Sequence, residues 1–263
     1  MANEHDRRSS SERFEIEKLD RQAGRVDTGI MKKAYIVQIG ASRGLSSLLT
    51  LVRCGLDYVT LIDSQRVGLE NVGQTLYEVQ HEGAWKVDAA KKMILGRAPH
   101  ATVNTYAARA QDIPNLREIF AAADAVKIGI DDPASMFALA DLAQDAGTAA
   151  FVHAMTGDGL QHFTAFVAPD GKPLREILPD AWKGVQAGYQ PPEFFPSCAL
   201  HTEMMNAAVA LMMAGYLHHR AGSSIELLSN IGAGLMEAGL ATGFNGYHEP
   251  SGFLTPIYFG QPV

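Results

Sequence analysis

The stretch AYIVQIGASRGLSSLLTLVRCG (34–55) restricts the fold of this chain more than any other. An apolar, β-rich run ends at Gly40, a short polar link carries Arg43 to a second glycine, Gly44, and apolar residues then recur at helical spacing as far as Gly55. A strand that enters a helix through a tight glycine turn is the opening unit of a parallel α/β sheet. The alternation continues. DYVTLID (57–63) reads as a second strand, GAWKVDAAKKMILGRAP (83–99) as an amphipathic helix and ATVNTYAA (101–108) as a third strand. NLREIFAAA (115–123) is a short helix, AVKIGIDD (125–132) a fourth strand, and PASMFALADLAQDAG (133–147) a helix with proline at its start and glycine at its end. AAFVHAMT (149–156) and QHFTAFVAP (161–169) form a further strand pair around the turn GDG. From residue 171 the pattern breaks: GKPLREILPDAWKGVQAGYQPPEFFP reads as an irregular crossover leading to a long helix over 198–219 and a tail that ends in the strand-like TPIYF.

These 263 residues suffice for one large α/β domain. We expect residues 1–18 to be a flexible N-terminal segment and 19–263 a single domain with a mainly parallel, Rossmann-like sheet flanked by helices. A net charge of −7 gives no footprint for nucleic acid. Two cysteines, Cys54 and Cys198, cannot build a disulfide framework or a four-cysteine zinc site, so we expect no zinc. The residues MANEHDRRSSSERFEIEK lack the apolar core of a signal peptide, and NAAVALMMAGYL (206–217) is shorter than a membrane span. The expected home is the cytoplasm, with no membrane association.

In an open parallel sheet ligands bind outside the carboxyl ends of the strands, where Gly40, Asp63 and Asp131 all lie. A glycine turn feeding a helix presents backbone N–H groups and the positive helix end to a phosphate. Asp63 follows Gly40 at a distance suited to holding ribose hydroxyls. The loop G-A-S-R-G nevertheless lacks the middle glycine of G-x-G-x-x-G, and a ligand-free tight turn stays open at this point.

The following segment, DYVTLIDSQRVGLENVGQTLYEVQHEGAWKVDAAKKMI, resembles the adenylation signature of the ThiF/MoeB/HesA family, relatives of ubiquitin-activating enzymes. In that family D-x-D-x-V-x-x-x-N-x-x-R-Q is followed by G-x-x-K; here Asp63, Val67, Asn71, Gly83 and Lys86 fall into place. DRQAGRVD upstream, ADAVKIGIDD downstream and APDGKPLREIL at the crossover extend the resemblance over about residues 20–215. It implies a ThiF/MoeB-type fold with a C-terminal crossover and helix. It also implies an adenylyltransferase that uses Mg-ATP to activate the C-terminal carboxylate of a ubiquitin-like or sulfur-carrier protein, or of a peptide. On that resemblance Gly40, Arg43 and Gly44 hold the nucleotide with Asp63 on the ribose, Asn71 and Gln74 near the triphosphate, Lys86 neutralising phosphate charge, and Asp131 holding Mg²⁺. The family dimerises, and Arg21 or Arg13 would be the arginine that reaches a partner's ATP.

Several positions depart from the family pattern. Gln74 stands where the family has a phosphate-contacting arginine, Thr75 where it has glutamine, Gln65 where it has a second aspartate and Met136 where it often has another arginine. Arg43 either replaces the missing charge or is a surface arginine. Cys198 stands where relatives carry an acceptor thiol, at a helix start that favours thiolate, and a buried structural cysteine is the alternative. Cys54 reads as a core residue. His153, His218 and His219 read as surface or helix-end histidines, and the methionines of the last long helix as core or subunit interface. The expected assembly is a homodimer, with a heterodimer as the alternative. Two other functions remain: a catalytically degenerate adenylation-fold subunit that acts as a binding partner, and a Rossmann oxidoreductase using NAD.

Overall fold

The computed structural model describes residues 19–155, 161–190, 199–238 and 241–245; Arg13, Cys198 and TPIYF lie outside the described residues. In chain order the helices and strands are α1 (Thr28–Lys33), β1 (Tyr35–Ile39), α2 (Leu45–Arg53), β2 (Tyr58–Ile62), α3 (Leu69–Val72) and α4 (Lys86–Leu95). There follow β3 (Thr102–Tyr106), α5 (Leu116–Ala122), β4 (Ala125–Ile128), α6 (Pro133–Asp145), β5 (Ala149–Met155) and β6 (Gln161–Val167). The last elements are α7 (Leu174–Ile177), α8 (Pro179–Gln186), α9 (Ala199–Arg220), α10 (Glu226–Ala238) and β7 (Ala241–Asn245).

The strands form one sheet in the order β3-β2-β1-β4-β5-β6-β7. Strands β1 to β5 pair in parallel, and β6 and β7 add antiparallel. The chain winds outward from β1 through β2 to β3, then crosses back to β4 and continues the other way. The strand order therefore reverses between β1 and β4, and a crevice opens at their carboxyl ends.

Each face of the sheet is covered because its strands alternate their side chains. Leu45, Leu48, Leu49 and Val52 recur at helical spacing and place α2 on one face, together with α4, α9 and α10. On the other face Leu116, Phe120, Met136, Phe137 and Leu139 of α5 and α6 pack over Val37, Ile39, Val126 and Ile128. Proline at the first turn and the Asp132 side chain, accepting from Ala134 N, start α6 directly after β4.

The stretch expected to be an irregular crossover contains two short helices, α7 and α8, each entered at a proline that suits a helix's first turn. The long helix α9 buries Met205, Met212 and Met213, in keeping with their reading as core. The histidines depart from expectation. His219 is exposed, but His218 is fully buried: its Nε2 accepts from the Asp27 N–H (2.9 Å) and its Nδ1 lies 2.7 Å from the Ala214 carbonyl, so the ring is neutral and structural. His153 is also buried, on β5. No described helix is long and apolar enough to cross a membrane.

Candidate nucleotide site

The loop between β1 and α2 can be followed one backbone group at a time. Gly40 N–H donates to Ile62 O (2.9 Å), and the Gly40 carbonyl accepts from Gln38 Nε2 (2.8 Å). Ala41 N–H donates to Asp63 Oδ2 (2.8 Å), while its carbonyl meets the Tyr77 hydroxyl. The Ser42 carbonyl accepts from Leu45 N (3.0 Å), that of Arg43 from Asn206 Nδ2 (2.8 Å), and that of Gly44 from Lys127 Nζ (2.6 Å) and Ser47 Oγ (2.8 Å). Every carbonyl of the loop is thus tied to the protein. The N–H groups of Ser42, Arg43 and Gly44 find no acceptor among the described residues. In a trans peptide the carbonyl and the next N–H point in opposite directions, so a loop whose carbonyls are held from the protein side turns these amides away from it. Three successive free amides ahead of the nine-residue helix α2 make a receptor for anionic oxygen.

Glycine is required at the start of this loop, and at its end a side chain would displace Lys127. Gly40 has φ +86°, and a Cβ there would collide with the Gly129 carbonyl; a Cβ on Gly44 would collide with Lys127 Nζ.

Charged groups gather on the open side. Asp63, at the end of β2, accepts from Ala41 N and from Gln65 N (2.8 Å), which fixes its carboxylate and leaves lone pairs for further donors. Arg43 Nη1 lies 3.6 Å from Asp131 Oδ1, with the Arg43 side chain 25% and the Asp131 side chain 64% exposed. Lys86, at the first position of α4, is only 4% exposed, and its Nζ donates to Gln65 Oε1 (2.7 Å). Burial pulls the Lys86 pKa below the ordinary lysine value; the carboxylates of Asp63, Asp131 and Glu70 oppose that shift, and the Arg43 guanidinium adds to it. The Tyr77 hydroxyl, buried and raised in pKa chiefly by burial, also lies 3.0 Å from the Lys86 carbonyl and so ties α4 to the loop.

A cavity of about 700 Å³ opens at the reversal between β1 and β4. Gly40, Arg43, Gly44, Asp63 and Asp131 line it, and Gln65 connects it to Lys86. Three of the expected residues, Asn71, Gln74 and Arg21, stand elsewhere. Asn71 Oδ1 accepts from Gly68 N (3.0 Å) and caps α3, and neither Asn71 nor Gln74 lines the cavity. Arg21 is exposed in the turn ahead of α1. The sequence reading missed Gln38, Lys127, Tyr77 and Asn206, which shape the loop from beneath. A usable signal existed in AVKIGI and YIVQI, where a polar residue interrupts a run expected to be buried on both faces.

Over 119 residues the chain is 31% identical to the adenylyltransferase and sulfurtransferase UBA4 of Candida glabrata, a match covering 44% of this chain and 27% of that protein. A second UBA4, from Debaryomyces hansenii, is 31% identical over 114 residues, 43% of this chain and 25% of its own. The chain thus spans about a quarter of the length of these curated relatives. Among solved structures, PaaA superposes with a TM-score of 0.62 at 18% identity, over 80% of this chain and 76% of that one. The crystal structure of E. coli MccB with ATP superposes at 0.56 and 17% identity, over 78% and 59% respectively. The sequence model of the ThiF family matches residues 30–233, which takes in the glycine loop, the cavity and most of α9 and α10: the chain belongs to the ThiF family.

Proposed function

We propose that this protein is an ATP-dependent adenylyltransferase that activates the C-terminal carboxylate of a ubiquitin-like or sulfur-carrier protein or of a peptide. The observation that carries this reading is the loop in which every carbonyl is tied down and three successive amides find no acceptor among the described residues, beside a cavity that Asp63, Arg43 and Asp131 line and that Gln65 connects to Lys86. In the reaction a carboxylate oxygen attacks the α-phosphorus of ATP, the bond from that phosphorus to the bridging oxygen breaks, pyrophosphate leaves with the electron pair, and an acyl adenylate results. Negative charge grows on the phosphate oxygens, and no protein nucleophile is needed at this step.

The loop amides and Arg43 bind phosphate oxygen, and Asp63 accepts from the ribose hydroxyls. Lys86, held near the carboxylates of Asp63 and Asp131, compensates charge as the pyrophosphate departs. Magnesium binds through one or two carboxylates plus substrate phosphates, and the exposed Asp131 carboxylate fits such a site; the ion supplies charge neutralisation when bound. No group of three or more ligating side chains occurs among the described residues, consistent with an ion held in part by the nucleotide.

The relatives support the type of reaction: one MccB structure contains MccA with AMPCPP, and UBA4 is named an adenylyltransferase and sulfurtransferase. Dimerisation, an arginine reaching across from Arg13 or Arg21, acyl transfer to Cys198 and a cytoplasmic location belong to the same proposal. A second reading, a subunit that binds without turnover, is favoured by Gln74, which replaces the family arginine and lies off the cavity. The NAD reading has only the strand, turn and helix in its favour.

Acceptor-dependent ATP–pyrophosphate exchange distinguishes the first two readings. Exchange is expected with small ubiquitin-like proteins or peptides bearing a free C-terminal carboxylate, and not with the amidated versions. ATP binding without exchange across such a panel would favour the subunit.

A further inference from the structure

The charge nearest the underside of the loop has no place in the adenylation scheme above. Lys127 sits in the middle of β4, is 1% exposed, and donates from Nζ to the Gly44 carbonyl at 2.6 Å. An ammonium buried without a counter-ion is strongly disfavoured, and no carboxylate lies within ion-pair distance of Nζ among the described residues.

Its surroundings are polar but neutral. Gln38, its register partner on β1, holds the Gly40 carbonyl, Ser47 on α2 shares the Gly44 carbonyl, and Asn206 on α9 holds that of Arg43. The titratable or charged groups on the elements packed around it are Tyr35 on β1, Arg43 ahead of α2 and Arg53 at its far end, His153 on β5, and, on α9, His201, Glu203, which takes the Ser46 hydroxyl hydrogen bond, and Tyr216, His218, His219 and Arg220 toward its far end. Phe151 is its partner on β5. Two buried amide oxygens, Gln38 Oε1 and Asn206 Oδ1, have no donor among the described residues, and the Lys127 ammonium bonds the neutral Gly44 carbonyl rather than a carboxylate.

The charge is therefore one that an arriving anion can stabilise. Lys127 holds the carbonyl of the same residue, Gly44, whose amide faces the cavity, which places the ammonium one peptide group below the free amides.

We propose that Lys127 is a positioning residue for the nucleotide loop and takes up a proton when anionic phosphate occupies the amides above it, so that nucleotide binding is proton-linked. This rests on the nucleotide reading of the preceding section. Burial pulls the Lys127 pKa down to about 7, so the free protein carries this lysine largely neutral above that pH, where binding must draw a proton from solvent. The sign follows: affinity for nucleotide weakens as pH rises above about 7, by up to about tenfold per pH unit where the linkage is complete.

The test is calorimetric titration of the full chain with Mg-ATP at about pH 8, in two buffers of different ionisation enthalpy, for the wild type, Lys127→Met and Lys127→Arg. The wild type should take up a fraction of a proton that shrinks toward about pH 6, Lys127→Met should show none of this component, and Lys127→Arg should bind without it because arginine stays charged. Proton uptake that is equal in the wild type and Lys127→Met, or absent in the wild type at about pH 8, overturns the inference. Should Lys127→Met not fold, the pH profile of wild-type affinity decides: a flat profile from about pH 6 to about pH 9 overturns it. ATP that binds without proton uptake removes this inference alone; ATP that does not bind at any pH removes the nucleotide reading with it.

Discussion

The two faces of the central sheet are built by the same strands and differ sharply in chemistry. On one face Val37 pairs with Val126 and Ile39 with Ile128, and Ala150 and Val152 continue the row, all apolar and buried under α5 and α6. On the opposite face Gln38 pairs with Lys127, and His153 pairs with Thr164, all buried beneath the loop and α9. Alternation along a strand makes such a division available at no topological cost. The polar row lies only on the side where the glycine loop needs its carbonyls held. Ile36, Ala125, Phe151 and Phe166 keep an apolar core on this second face as well, and only its end beneath the loop gives up stability to shape a site.

The comparison breaks most visibly if a charge is moved by one residue. Val126→Lys would place an ammonium among Val37, Ile39 and Ala150 with no polar neighbour, and should cost about 3–5 kcal/mol, read as a large fall in the urea midpoint. A fall as small as that of a surface variant would mean the faces are not distinct. Gly40→Ala should cost about 1–3 kcal/mol and abolish nucleotide binding, since φ +86° and the Gly129 carbonyl both exclude a Cβ. Thermal unfolding and ATP titration check the two halves of that statement.

Lys127→Met should have the opposite effect on stability, raising it by about 1–4 kcal/mol near neutral pH, because a desolvated charge is replaced by packing. The pH dependence sharpens the point. The folded lysine's pKa lies at about 7, below its ordinary 10.5, so between these values the unfolded chain binds the extra proton and wild-type stability rises with pH. Denaturation across that range should show the rise in the wild type and not in Lys127→Met.

The smallest expected effect concerns His218, away from both faces of the site. Burial holds its pKa below the ordinary 6.5, so its contribution is present above 6.5 and lost as pH falls through the folded value. His218→Gln should flatten that acid loss by about 1 kcal/mol, measured as the urea midpoint against pH.

Much of this was legible in the sequence. Strands β1 to β6 and the helices α2, α4, α5 and α6 follow from hydrophobic spacing and from glycine and proline at their ends, whereas β7 was not expected. Asp63 and Asp131 were placed at the cavity because parallel strands end there. Helix α10 escaped detection because Gly232 and Gly234 interrupt its apolar stripe. Gly232 is needed for packing: a Cβ there would collide with the backbone of Gly215 on α9, and no one-dimensional pattern reveals a contact between two helices. Asn71 matched a motif position yet serves as a cap, because motif spacing fixes where a residue stands and not which way its side chain bonds. Lys127 was passed over because a strand-like run masks one polar member, although that member was the informative one.

The central claim is that the loop holds ATP, and the most direct test is calorimetric titration with Mg-ATP, with NAD as the comparison and Lys86→Ala and Asp131→Ala alongside. ATP is expected to bind and NAD not, and each substitution should weaken ATP by about tenfold or more, Lys86→Ala by removing a cation that compensates phosphate charge and Asp131→Ala by removing the carboxylate that would hold Mg²⁺. No binding of ATP at about millimolar concentration, or binding that both substitutions leave unchanged, would contradict it.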